Sequence, residues 1–215
     1  MHSQDYVQWI NNNAKLTVIF ISGWGIDHHL FPTLNSTCNY LTLYPDQTFI
    51  EKYITSKNHI LSNHRLILIG FSMGAYIAQT LVKQKTIFPD KTIIIGVKKN
   101  YATSELNKIK LFLRRQKDAY MQAFYRSCFF SDEEWITFKS THRTMTSVPE
   151  LLIDQLTTLG TYTLEDSADL WIHGKEDKIA PYDNTPTQIP QLLIENCGHC
   201  PFFHKKWDDI FTTLL

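Results

Sequence analysis

The sequence predicts an α/β protein in which a mostly parallel sheet is flanked by helices and interrupted by an inserted helical lid. Three observations carry this expectation. Short runs of Ile, Val, Leu and Phe alternate with longer amphipathic stretches, as strands buried between two helical layers require. Most of these runs have Gly, Pro, Asn or Asp close to at least one end, where the chain must turn. Between Val97 and roughly Asp166 the strand pattern stops and only helical periodicity remains. A chain of 215 residues with 43% apolar content can bury the core of one compact domain carrying such an insertion.

Taken in order, strands are expected at 16–21, 41–44, 65–70, 91–97, 170–173 and 191–195, and Asn11-Asn12-Asn13 reads as a turn before the first long strand. The lid is expected to hold helices at 106–123, 132–140 and 148–159. The division that follows is a core from 1–97 and 167–215 and a lid from 98–166. No internal repeat is visible.

Composition removes several classes of function. Twenty-one Lys and Arg balance twenty-one Asp and Glu, so net charge offers no footprint for nucleic acid or for an anionic membrane. The longest apolar runs, 66–70 and 92–97, are far shorter than the roughly 20 residues needed to cross a bilayer. Residues 1–10 lack both a basic start and an apolar signal core, which makes a cytoplasmic address the expectation; a monomer is expected as well. Cys38, Cys128, Cys197 and Cys200 are too sparse for a disulfide-stapled secreted domain and are expected as free thiols. Cys197 and Cys200, with His199 between them and His204 after, raise the question of zinc. A closed structural site usually wants a second ligand pair, which the sequence does not supply, so no metal and no cofactor is expected.

Chemistry enters at Gly70-Phe71-Ser72-Met73-Gly74. The strand at 65–69 runs into this turn, and residues 75–82 continue with helix-forming, apolar-periodic residues. Ser72 then sits at the apex of a strained strand–turn–helix elbow, where side chains two residues to either side would collide with neighbouring backbone. A bare G-x-S-x-G arises by chance in roughly one chain of this length in twenty, at the usual glycine frequency of about 7%. Its weight comes from lying between an apolar strand and a helix.

A serine hydroxyl needs a base to take its proton, and the base is ordinarily a histidine held by a carboxylate. The polar turn after strand 170–173 supplies Asp177 as the acid, with Glu176 and Asp169 as rivals; Asp169 precedes its strand and so falls at the opposite sheet edge. Strand 191–195 empties into Asn196-Cys197-Gly198-His199, which makes His199 the base and His204 the alternative. His28, His29, His59 and His64 read as surface residues in polar loops. The loop Ser22-Gly23-Trp24-Gly25 lets backbone approach a substrate carbonyl, so the Trp24 and Met73 amides form the expected oxyanion hole, with the Trp24 indole in the pocket wall.

Gly23-Trp24-Gly25, the Ser72 elbow and Gly198-His199-Cys200-Pro201-Phe202 together resemble the α/β-hydrolase superfamily over nearly the whole chain. Within it the sequence is similar to the pimeloyl-[acyl-carrier-protein] methyl ester esterases of biotin synthesis, through the Gly-Trp-Gly loop, the Gly-His-x-Pro-Phe block and a lid ending in Leu156-Thr157-Thr158-Leu159. That resemblance implies a serine carboxylesterase that releases methanol from an acyl carrier-bound methyl ester. It also implies substrate contacts at Trp24, Ser72, Met73 and His199, and at a lid segment that looks like Phe124-Tyr125-Arg126-Ser127-Cys128. One departure stands out: many relatives open the oxyanion loop with His-Gly, where this chain has Ser22-Gly23.

Residues 98–117 carry Lys98, Lys99, Lys108, Lys110, Arg114, Arg115 and Lys117 against Glu105 alone. Such a local basic surface suits an acidic acyl carrier protein, and Arg126 is a further candidate for carrier contact. The same pattern also fits a solvated amphipathic helix with Leu106, Ile109 and Leu113 turned inward.

Overall fold

The computed structural model describes residues 6–32, 36–141, 149–182 and 188–215. Seven strands form one sheet: β1 (Val7–Ile10), β2 (Leu16–Ile21), β3 (Cys38–Leu43), β4 (Arg65–Phe71), β5 (Lys91–Ile95), β6 (Leu170–Gly174) and β7 (Gln191–Ile194). Their order is β1-β3-β2-β4-β5-β6-β7, with β1 antiparallel to β3 and every other pairing parallel. Ile19, Leu68, Ile93 and Ile94 of the central strands are fully buried, because helices cover both faces.

Strand order places the site. The chain leaves β2 toward β3 on one side and returns to β4 on the other, so β2 and β4 are the point at which the winding reverses. Loops at the carboxyl ends of such strands diverge and open a crevice. In the β2–β4 register Ile21 stands opposite Gly70, so the Ser22–Gly25 loop and the Ser72 turn emerge side by side.

The core helices are α1 (Gln47–Leu61), α2 (Met73–Lys83) and, at the other end of the sequence, α6 (Trp207–Leu214). Asp46 caps α1 by accepting from Phe49 N at 2.9 Å, which satisfies one of the first-turn amides. Between β5 and β6 lie the three inserted helices α3 (Thr103–Ser127), α4 (Asp132–Thr141) and α5 (Pro149–Leu159). α3 is two helices joined at Gln116, whose φ of −150° and ψ of 50° break the ladder.

Several boundaries differ from the sequence reading. β1 was not expected; four residues on an edge strand carry too little periodicity to be read. β3 starts at Cys38 rather than 41, where Asn39, a poor strand former by type, is held by donating to Ala14 O and Thr17 Oγ1. β5 ends at Ile95 because Gly96 turns the chain at φ +56°. α3 outruns 106–123 at both ends and is kinked within it. The third lid helix begins at Pro149, and residue 148, where it was expected to start, lies outside the described residues. His28, expected on the surface, is buried at 2% exposure, and His59 is exposed as expected but lies on α1 rather than in a loop. Among the described residues no helix is long and apolar enough to cross a membrane.

Candidate active site

Ser72 holds φ 52° and ψ −117°, a left-handed conformation that a non-glycine residue adopts only under constraint. The constraint is local. Ser72 N donates to Ile95 O at 2.8 Å, and Ala75 N donates to Ser72 O at 3.0 Å as α2 begins. A β-carbon on Gly70 would lie 2.5 Å from Ala75 Cα, and one on Gly74 would lie 2.2 Å from Ile21 O. The two glycines of the motif are therefore required by backbone packed against backbone.

His199 and Asp177 meet as the sequence order predicts. His199 Nδ1 lies 2.8 Å from Asp177 Oδ2, with both side chains buried. Asp177 Oδ1 accepts from Ile179 N and Ala180 N at 2.8 Å each. His173, unremarked in the sequence, brings Nε2 to 3.2 Å from Asp177 Oδ2 and to 2.6 Å from Ala180 O. A carbonyl only accepts, so His173 carries its proton on Nε2 and donates toward both oxygens. Burial pushes the Asp177 carboxyl upward, but the charges and hydrogen bonds of His199 and His173 outweigh it and hold the group well below the usual carboxylate range. Among the described residues His199 Nε2 is buried without a hydrogen-bond partner.

The rivals have other duties. Glu176 Oε2 accepts from Cys197 N at 2.9 Å and so ties down the loop that bears His199. Asp169 accepts from Thr92 N at the opposite sheet edge. His204 Nδ1 accepts from Lys206 N at 3.3 Å, one turn past the His199 loop.

The loop after β2 lies against the elbow: a β-carbon on Gly23 would sit 3.0 Å from Ser72 Cβ. Ser22 Oγ donates to Ile26 O at 2.7 Å, and Tyr125 OH donates to Gly25 O at 2.7 Å. Trp24 Nε1 donates to Leu152 O of α5 at 2.9 Å, and its ring meets Phe124 edge-on at 5.1 Å. Met73 begins α2, whose first amides have no partner inside the helix and carry the positive end of its dipole.

Ser72 opens into a cavity of about 420 Å³. Its apolar wall comes from Trp24, Leu106, Ile109, Phe112, Phe124 and Leu156, and its polar groups include Tyr101, Glu105, Lys108 and Lys178. Trp24, Ser72 and Phe124 thus share one cavity, and Lys108, expected only on the carrier-facing basic surface, joins them. Tyr125 and Cys128 are buried outside the cavity lining. Arg126 turns to Asp132 and to Phe129 O, and Ser127 donates to Ala123 O, so neither reaches the cavity wall. The physical reason is helical: consecutive residues 124–128 spread over every face of α3, and only one face looks inward.

Of the basic residues, Lys108, Arg114 and Arg115 are exposed, while Lys110 and Lys117 are half-buried. Lys98 is not a surface charge: it is 8% exposed and bonds both oxygens of Glu105 at 2.9 and 2.8 Å. Cys38, Cys128, Cys197 and Cys200 are free and buried. Burial raises the thiols of Cys128, Cys197 and Cys200 above the ordinary value. Among the described residues no three of Cys197, Cys200, His199 and His204 bring ligand atoms within 4.8 Å of one another; the one group that does is Asp27, His28 and His29. There Asp27 caps a short 3-10 turn by accepting from His29 N.

Sequence reasoning missed Tyr101, Phe112, Tyr120 and the Lys178-Ile179 pair after the acid, all of which line the cavity with Ser72. Lys178 and Ile179 had a signal, since they follow Asp177 at a strand's carboxyl end. Tyr101, six residues beyond β5, had the same signal in weaker form.

No protein-family model and no curated protein sequence matches the chain. Solved structures do. An esterase from Exiguobacterium antarcticum superposes with a TM-score of 0.77 at 18% identity, covering 97% of this chain and 93% of that one. A bromoperoxidase from Bacillus anthracis gives 0.76 at 13% identity, with 97% and 93% covered. A thermophilic esterase from Thermogutta terrifontis gives 0.72 at 13%, covering 97% and 90%. At these identities the likeness establishes the fold: the chain has the α/β-hydrolase fold over essentially its full length.

Proposed function

We propose that the chain is a serine carboxylesterase. The observation that carries the reading is a buried Asp177–His199 pair whose imidazole packs on Phe71 at 5.0 Å, next in sequence to a strained Ser72 that opens into a largely apolar cavity. An ester carbonyl placed over Ser72 is attacked by Oγ while His199 Nε2 takes the hydroxyl proton. Asp177, held ionised, stabilises the imidazolium that results. The Trp24 and Met73 amides receive the developing oxyanion. His199 passes its proton to the departing alcohol, and water, activated by the same nitrogen, then frees the acyl group. No metal or cofactor enters this sequence.

The substrate we propose is the methyl ester of a pimeloyl group on acyl carrier protein, with methanol as the leaving alcohol. Support comes from the Gly-Trp-Gly and Gly-His-x-Pro-Phe blocks, from a cavity long enough in apolar wall for a short acyl chain, and from exposed Lys108, Arg114 and Arg115 on the helix that roofs it. Lys110 and Lys117 lie half-buried on the same helix; Arg126 is paired with Asp132. The esterases among the structural neighbours agree with ester hydrolysis. The same triad also serves a thioester, so both bonds are tested on one carrier.

The test is growth without biotin of a bacterium lacking its own pimeloyl-carrier esterase, with Ser72→Ala as control. Rescue by the native chain alone is expected. Soluble expression without rescue overturns the substrate, as does cleavage of the carrier thioester with the methyl ester untouched.

A further inference from the structure

A carboxylate offers about four lone-pair sites, and in Asp177 every one of them faces a donor. Oδ1 accepts from Ile179 N and Ala180 N at 2.8 Å each, and Oδ2 meets His199 Nδ1 at 2.8 Å. The fourth site is taken by a second imidazole, His173 Nε2 at 3.2 Å, with both side chains fully buried. The same nitrogen lies 2.6 Å from Ala180 O, so it closes a ring: Ala180 N on Oδ1, Nε2 on Oδ2, and Ala180 O on Nε2. His173 is placed for this by β6, where it shares a strand face with Trp171, whose ring meets it at 4.7 Å. A β-carbon on Gly174 would lie 2.1 Å from Gly198 O, and Glu176 N donates to Cys197 O at 3.0 Å. Backbone thus locks the turn of the acid to the loop of the base.

We propose that His173 is a positioning residue that acts through Asp177: it fixes Oδ2 toward His199 and takes up part of the charge that this oxygen presents to the base. This rests on the esterase reading above. With the backbone locked, the freedom left to the acid is rotation of its carboxylate. Two amides oppose that rotation at Oδ1, and His173 opposes it at Oδ2, the oxygen that matters to His199.

The consequence is a pH effect with a definite sign. A carboxylate beside an imidazole favours the imidazolium, and an imidazolium cannot receive the Ser72 proton. A second donor on the same oxygen weakens that pull; without it, Oδ2 would turn its whole charge on His199, and activity would need a higher pH. No other group around Asp177 answers for the same shift. Tyr101, Cys128 and Cys197 feel its charge, but burial raises all three above their ordinary values and keeps them uncharged at working pH. Glu176 is turned to Cys197 N, and Lys178 is exposed.

The pH profile of kcat/KM for p-nitrophenyl acetate tests this in the full chain, with a fluorophosphonate probe, reacted to completion, counting active Ser72 so that rates refer to folded enzyme only. His173→Leu fills the space without a donor, whereas His173→Gln carries an N–H near the place of Nε2. In His173→Leu the acid limb should move up by about one pH unit, the scale of one hydrogen bond to a carboxylate. Its kcat should fall about tenfold with KM little changed, as loss of orientation at the base requires. His173→Gln should return both toward native values. If His173→Leu does not fold, His173→Asn, whose amide is too short to reach Oδ2, replaces it with the same expectation. An acid limb that stays put without the donor, or moves as far in His173→Gln, overturns the role and leaves the esterase reading intact; a ring that merely braces the turn would lower the labelled fraction alone. If the native chain neither labels at Ser72 nor turns over the ester, the esterase reading falls and this role with it.

Discussion

The elbow and its partner loops share one cavity with the inserted helices, yet the two regions are held by different means. Around Ser72 backbone packs on backbone: Gly70 against Ala75, Gly74 against Ile21 O, and Gly23 against Ser72 Cβ, with Asp177 accepting two amides of its own turn. The inserted helices meet the cavity through side chains, several of them half in solvent, such as Phe112 at 50% exposure. Their ties to the core are individual hydrogen bonds, among them Trp24 Nε1 to Leu152 O, Tyr125 OH to Gly25 O and Gln155 Nε2 to Pro45 O. On the proposed esterase reading, the rigid part fixes the chemistry and the adaptable part the choice of acyl group.

The largest effect expected from breaking the rigid side is catalytic. Ser72→Ala and His199→Ala should each lower kcat for a p-nitrophenyl ester on the order of 10⁴-fold or more with the melting temperature little changed. A loss below tenfold in both would mean that the Asp177–His199 pair does not serve Ser72. Next comes Gly74→Ala, in which a new β-carbon meets Ile21 O; denaturant unfolding should show a loss of about 3 kcal/mol.

Acid dependence probes the same side. The Asp177 carboxyl is held below its ordinary value of 3.8, so the folded state binds its proton less readily than the unfolded one. Its contribution to stability is full above that value and is lost as pH falls below it. Asp177→Asn should therefore be less stable than the native chain at pH 7, and the gap should narrow as pH drops below about 4. A gap independent of pH would show that the carboxylate's charge is not what stabilises the fold.

Legibility followed the same divide. Ser72, Asp177, His199 and Trp24 could be read because each sits just past a parallel strand, where a short motif, a strand end and a chemical need coincide. Phe112 and Tyr120 could not, because helical periodicity says which residues face inward but not what they face, and Tyr101 lies too far past the end of β5 for its strand-end signal to stand out. The lid segment 124–128 took a contiguous run for a surface, while of those five residues α3 presents only Phe124 to the cavity. Lys98 was counted as surface charge because its partner, Glu105, is seven residues away and joins it only when the chain turns into α3. Edge strand β1 was too short to carry a pattern.

The smallest expected effect belongs to the adaptable wall, and it separates the two regions most cleanly. Phe112 lines the cavity, stacks on Tyr120 at 5.8 Å and is half exposed, so its removal opens the wall without touching the elbow. Roughly 50 Å² of lost contact with a bound chain corresponds to about 1 kcal/mol. Phe112→Ala should therefore raise KM for an octanoyl ester several-fold while leaving acetyl ester turnover and unfolding free energy nearly unchanged, the latter within about 0.5 kcal/mol. Steady-state kinetics on the two esters decide it. If the acetyl ester suffers equally, Phe112 supports the catalytic geometry, and the separation between a rigid centre and an adaptable wall does not hold at this position.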